Sequence, residues 1–282
     1  MVDVEKLTQK VEEFPTLPTI YSALSEVMAN PRSTIQDAVN IISQDQASAS
    51  KILKAANSSI YGIRVNIDTI TQAIFYIGFD EVKNLILALS IIDIFNKAGS
   101  KDILNPVGLW KHSIAVGAIT RSLGKALSIH QLENYFVAGI LHDIGKLFFY
   151  RYMPDEYIRV IEYSQENSIS LREAEKTVIG VTDTIAGELL AQKWRLPRNI
   201  VNAISYHYSG LVDGKVDTLT SCVHLAEIIS SILELGDSGN DIIPEPNIKI
   251  WEELNFDKKI FTKSMQQIIH DFDESVSLLL NI

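Results

Sequence analysis

The sequence predicts an all-α protein, a multi-helical bundle, and three observations carry that expectation. Apolar residues recur at helical spacing along nearly the whole chain. Ser, Thr, Asp or Asn stands ahead of several of these stretches, where its side chain can cap a helix. No alternating apolar and polar run longer than a few residues reads as a strand.

The elements follow in order. The opening Met1 to Phe14 is charged and helical in pattern, with no apolar signal-peptide stretch. Thr34 to Ile42 reads as a short helix capped by Ser33 or Thr34, and Asp45 can cap the next, whose apolar face is Ala49, Ile52, Leu53 and Ala56. Asp68 opens a helix that stops at Gly78, and residues 80–96 form a longer, largely buried one. A boundary falls near Ala98-Gly99-Ser100, after which Asn105-Pro106 is a cap followed by a first-turn proline. Further helices are expected at about 131–141, 143–152, 155–167, 170–179, 184–194, 198–209 and 218–235. Residues 235–247, with Gly236, Gly239, Pro244 and Pro246, read as a loop, and residues 258–280 as a closing helix.

Composition narrows the function classes. The chain has 282 residues, 46% of them hydrophobic and 21% charged, which is the balance of a folded protein rather than a disordered one. This length suits one large domain or two intimately packed ones. Twenty-five basic residues face 35 acidic ones, for a formal charge of −10 with no basic stripe, so nucleic acid is a poor candidate partner. The lone Cys222 excludes an internal disulfide and fits a reducing compartment. The most apolar stretch, Leu85 to Phe95, is broken by Ser90 and Asp93 and is far shorter than the roughly 20 residues that span a bilayer. No membrane association and a cytoplasmic location are therefore expected.

Chemistry concentrates in Ala138-Gly139-Ile140-Leu141-His142-Asp143-Ile144-Gly145-Lys146. A neutral imidazole beside a hard carboxylate suits Zn, Mn or Fe. Ala138 and Gly145 share a helical face with His142 and leave space around its ring. His112 shares an inward face with Val116, Ile119 and Leu123, and His207 follows Ile200, Ala203 and Ile204. Glu227 stands three residues after His224, and Asp183 stands at a helix start. Structural roles compete with each of these. A single inward histidine is commonly a hydrogen-bonded core residue. Asp183 is placed as a helix N-cap. Glu227 can be a solvated acid with His224 as the inward residue, and Lys146 can simply favour a helix end. His130 and His270 sit among polar residues and read as surface positions.

Together these residues resemble the HD-domain superfamily, in which helices present a His, a His-Asp pair and a later Asp to one or two metals. The corresponding positions are His112, His142 with Asp143, and Glu227 in place of the last Asp. The surrounding sequence is similar to the HDOD branch over about residues 14–230. Phe14-Pro15-Thr16-Leu17-Pro18 resembles its proline-bracketed opening, and Leu53-Lys54-Ala55-Ala56-Asn57-Ser58 before Tyr61-Gly62 resembles its characteristic helix end. Ile70-Thr71-Gln72-Ala73-Ile74 with Ile77-Gly78 matches its next element. Asp183 and His207 fall where catalytic relatives of the HD-GYP type carry further ligands. Those relatives have His at the first position and a His-His pair at the second, where this chain has His207-Tyr208, and their Gly-Tyr-Pro signature is absent after Lys146.

The resemblance implies an HD-like helical bundle with an N-terminal helical subdomain, residues 1–100 forming the subdomain and residues 101–282 the HD-like core with its C-terminal helix. It implies a divalent transition metal (Fe, Mn or Zn) held by His112, His142, Asp143 and Glu227, with Asp183 and His207 as secondary candidates. The expected function is a bacterial regulatory module that binds a signalling protein or a nucleotide messenger without turnover, its metal site vestigial or structural. The alternative is a metal-dependent phosphohydrolase, in which the metal activates water and polarises a phosphoryl group while Lys146 balances developing charge. A metal-free helical scaffold is the third reading.

Overall fold

The structure is a computed structural model that describes residues 4–58, 61–96, 106–129, 132–255 and 258–280. The first six helices are α1 (Val4–Glu12), α2 (Thr19–Ala29), α3 (Ile35–Ile42), α4 (Gln46–Ala56), α5 (Ile70–Ile77) and α6 (Phe79–Asn96). Thr34 caps α3 in a reciprocal capping box with Asp37, and Asp45 accepts from the Ala47 and Ser48 amides to start α4. Thr69, rather than Asp68, caps α5, because its hydroxyl accepts from the Gln72 amide while Gln72 reaches back to the cap. Asn57 closes α4 by bonding the main chain of Ile67 in both directions, at 2.8 Å each way. Tyr61 donates to Glu81 at 2.8 Å, and Glu81 in turn pairs with Arg121 at 3.1 Å. The asparagine and tyrosine of the family-like helix end are therefore structural ties.

The second half runs α7 (Pro106–Ala126), α8 (Glu133–Leu141), α9 (Ile144–Tyr152), α10 (Pro154–Asn167), α11 (Leu171–Val178), α12 (Asp183–Lys193) and α13 (Arg198–Tyr206). After a small hairpin come α14 (Thr218–Ile232), α15 (Ile248–Leu254) and α16 (Lys258–Leu280). The hairpin pairs β1 (Leu211–Val212) with β2 (Lys215–Val216) in antiparallel register. Asp213 and Gly214 both have positive φ, as a two-residue primed turn requires. This hairpin, α2 and α15 lie outside the expected elements. The expected boundary at residues 98–100, the Asn105 cap and His130 lie outside the described residues.

α7 is the central post, packed by α8, α14 and α16. α9 lies against α12, α12 against α13, and α6 against α8. The amino-terminal segment is tied to the second half at the far end of α12. There Lys193 donates to the carbonyls of Val11, Glu12 and Phe14, and the Trp194 indole donates to Pro15 at 3.0 Å. The Phe14 ring sits among Phe95, Phe148, Tyr152 and Trp194 at centroid distances of 5.0–5.8 Å. The proline-bracketed opening is thus an aromatic anchor. Leu85 to Leu89, Ile91 and Ile92 are all buried, as their near-continuous apolar run requires. Among the described residues, no helix is long and apolar enough to cross a membrane.

Candidate metal centre

Four helix ends and faces converge on one buried cluster. α7 contributes His112, the α8–α9 junction His142 and Asp143, and α14 Glu227, all 3% exposed or less. The His-Asp pair falls between two helices, so the chain turns there and both side chains face one point. Glu227 Oε2 lies 2.6 Å from His112 Nε2 and 3.0 Å from His142 Nε2. Asp143 Oδ2 lies 3.3 Å from His142 Nε2 and 3.9 Å from His112 Nε2. Glu227 is thus an inward ligand-type acid, not a solvated one. His224 is also buried, but it serves the core, bonded to the His207 carbonyl at 2.9 Å and accepting from the Asn247 amide.

A second group adjoins the first through Asp143: its other oxygen, Asp183 and His207 also lie within ligand distance of one another. His207 Nε2 is 3.7 Å from Asp143 Oδ1. Asp183 is the first residue of α12, not its cap, and Thr182 precedes the helix without a capping bond. The Asp183 carboxylate is 1% exposed and neither oxygen has a hydrogen-bond partner. Its amide instead donates to Glu175, a fully buried acid on α11, at 2.8 Å. Glu175 also accepts from Tyr157. The Leu171 to Val178 face signalled an amphipathic helix, but nothing in its sequence marked Glu175 as inward.

The imidazoles are oriented as ligands. Each turns Nε2 toward the carboxylates and spends Nδ1 elsewhere: His142 on the Gly139 carbonyl, His207 on the Ile204 carbonyl and His112 on Ser230 Oγ. Such outer bonds fix ring orientation and tautomer in metal sites. Ser230 donates its own proton to the Leu235 carbonyl.

The electrostatics call for a cation. Asp143, Glu175, Asp183 and Glu227 are buried within reach of a single lysine, and burying unpaired carboxylates is costly. Lys146 Nζ donates to Asp143 Oδ2 at 2.7 Å and reaches the Ser238 carbonyl at 3.4 Å. Burial lowers a lysine pKa, but Asp143, Glu227 and Asp183 outweigh it and hold the ammonium charged. Burial likewise opposes charge on His142, yet Asp143 and Glu227 raise its pKa to about 10. Burial, with His142 nearby, depresses His207 to about 3, leaving it neutral. Burial also pushes the Asp183 and Glu175 carboxyls upward, Glu175 further because it faces Asp183.

The residues fit a metal ion. In the second group Asp183 Oδ1 and Oδ2, Asp143 Oδ1 and His207 Nε2 are buried without hydrogen-bond partners, and the donors of both groups are nitrogen and oxygen only, the set that suits Zn, Mn or Fe. The Tyr208 ring lies 4.3 Å from that of His207, and its hydroxyl makes no hydrogen bond. His270 lies apart, exposed and 3.5 Å from Glu274.

A helical bundle that gathers His, His-Asp and an acid from separate helices defines an HD-type protein. The HDOD domain model matches residues 14–209, and the chain belongs to that family. An HDOD domain protein of unknown function from Geobacter sulfurreducens shares the fold, with a TM-score of 0.79, 24% identity and coverage of 98% of this chain and 99% of that one. A proposed phosphohydrolase from Shewanella amazonensis follows at 0.75, with 22% identity and 97% coverage of both chains. A proposed signal transduction protein from Marinobacter aquaeolei has a TM-score of 0.71 and 20% identity, over 95% of this chain and 60% of that one. An uncharacterised protein of Treponema pallidum is 24% identical over 204 residues, which is 72% of this chain but only 39% of the relative.

Proposed function

We propose that this protein is a bacterial signal-transduction module whose second half, residues 101–282, holds one divalent transition metal (Fe, Mn or Zn) and which binds a signalling protein or nucleotide messenger without turning it over. One observation carries the reading: His112, His142, Asp143 and Glu227 converge as four protein donors, each 3% exposed or less. Four protein ligands in a closed shell are the pattern of structural metal sites, whereas catalytic sites keep a position open. Bound there, the metal supplies charge that offsets the buried carboxylates. The chain's own residues do the rest: Gly139, Ile204 and Ser230 aim the rings, and Lys146 holds Asp143. Tyr208, at the place where the HD-GYP hydrolases carry a second histidine, offers a phenol that ligates poorly at neutral pH.

A metal-dependent phosphohydrolase is the second reading, and one observation favours it. Asp143 is shared between two donor groups, as a two-metal hydrolase would need. Metal analysis of the purified chain, with cyclic dinucleotides and other phosphodiesters as substrates, separates the two. The regulatory reading expects about one metal per chain, lost when His142→Ala and Asp143→Ala are combined, and no product above that double variant. Robust turnover that disappears in the double variant replaces it with the hydrolase.

A further inference from the structure

The wall of the second donor group is also the floor of a cavity. A pocket of about 420 Å³ opens between α11, α12 and α13, within the roughly 300–1,000 Å³ usual for small-molecule sites. Arg172 and Lys176, one turn apart on α11, line it together with Thr182, Thr184, Glu188 and Tyr208. Thr182 and Thr184 flank Asp183, so the pocket and the metal cluster share one stretch of main chain.

Behind this wall two buried donors lack acceptors. Arg172 Nε and the Tyr208 hydroxyl are both shielded from solvent and neither makes a hydrogen bond. The Arg172 guanidinium lies 4.9 Å from the centre of the Tyr208 ring, within cation–π range. Glu188, the one acid lining the pocket, has an oxygen occupied by Gln192 at 2.9 Å. A planar guanidinium beside a lysine matches a phosphate better than any neutral group.

We infer that this cavity is a binding site for a phosphate-bearing small molecule of nucleotide size, with Arg172 and Lys176 gripping the phosphate. The inference rests on the proposed reading in that it gives the messenger a location. It does not depend on metal retention. The buried carboxylates below the floor repel an anion, so a cation in the cluster strengthens binding, and linkage makes that coupling reciprocal.

The test is calorimetric titration of the full chain with inorganic pyrophosphate, guanosine 5′-monophosphate and guanosine. It uses chelator-treated and zinc-loaded protein. The expected result is saturable binding of both phosphates but not of guanosine, tighter with zinc. It should weaken about tenfold or more in Arg172→Gln and in Lys176→Gln, since each removes a charged contact. The exposed Lys176 keeps the test valid if the Arg172 variant folds poorly. Melting temperature and metal content should be unchanged in Lys176→Gln. Absence of saturable phosphate binding, equal binding of guanosine, or affinity unchanged from the unsubstituted chain in both variants overturns the inference. A chain that binds pyrophosphate but no metal refutes the metal reading and leaves the pocket standing.

Discussion

Gly145 and Asp183 stand backbone to backbone: a Cβ added to Gly145 would overlap the Asp183 carbonyl oxygen and crowd the Gly187 amide. α9 and α12 meet there without an intervening side chain, which brings the Asp183 carboxylate within ligand distance of Asp143. Gly145→Ala should therefore force the two helices apart. The expected cost is about 1–3 kcal/mol of stability, the usual price of overpacking. Metal affinity should fall as well, because Gly145 lies two residues after the ligand Asp143 and a shift of α9 moves that carboxylate; chemical denaturation and competition with a chromogenic chelator read the two effects.

Glu227 reaches two imidazoles with one oxygen, and its length makes that possible. Shortening it to Asp withdraws the carboxylate by about one carbon–carbon bond, while Glu227→Gln keeps the reach and removes the charge. Both substitutions should lower metal affinity, by about tenfold or more, as loss of a ligand contact does. Glu227→Gln should also destabilise the metal-free protein, by about 3–5 kcal/mol, because His142 would lose a charge partner in a buried site. Metal content and urea midpoints of the two variants check this.

Metal uptake should release protons. With its pKa raised to about 10, His142 carries a proton at neutral pH in the metal-free protein, and a coordinating imidazole must shed it. Titrating zinc in two buffers of different ionisation enthalpy should reveal a release near one proton per site or more. Equal apparent enthalpies in both buffers would sink the claim.

His142 and His207 set the pH dependence of metal-free stability. His142 is raised above its unfolded value of 6.5, so its contribution is full below that value and is lost as pH rises toward about 10. His207 is depressed to about 3, so its contribution is present above 6.5 and is lost as pH falls from there. Chelator-treated protein should weaken on both sides of neutrality. His142→Gln should flatten the alkaline limb and His207→Gln the acidic one, as followed by urea midpoints across pH.

Phe14→Ala should cost about 3–5 kcal/mol, since the ring fills an aromatic niche shared by both halves. Residues 105–282 alone should melt well below the full chain. Equal melting temperatures would refute the close packing of residues 1–100 on the remainder.

Legibility in the sequence followed the kind of signal. Periodicity and caps exposed most helices, because Thr34, Asp45 and Pro106 act within a single turn of the helices they start. Asp213-Gly214 carried a short-range hairpin signal that a uniformly helical expectation passed over. At the site, His112, His142 and Asp143 were legible because inward histidines are few. Glu227 was legible through the resemblance, since spacing alone left His224 equally eligible. Asp183 looked like a cap because position in sequence cannot show that Thr182 ends the turn before it. Glu175 was invisible because its burial depends on Tyr157 and the start of α12, which reach it only in the folded chain.

α12 gives the molecule a mechanical character. Its first residue is Asp183 and its last is Lys193, the ammonium clamped on the carbonyls of Val11, Glu12 and Phe14. Eleven residues of helix make a strut of about 16 Å with no joint along it. One unbroken helix thus runs from the buried Asp183 carboxylate to the amino-terminal strap, so the two are braced against each other with no loop between them.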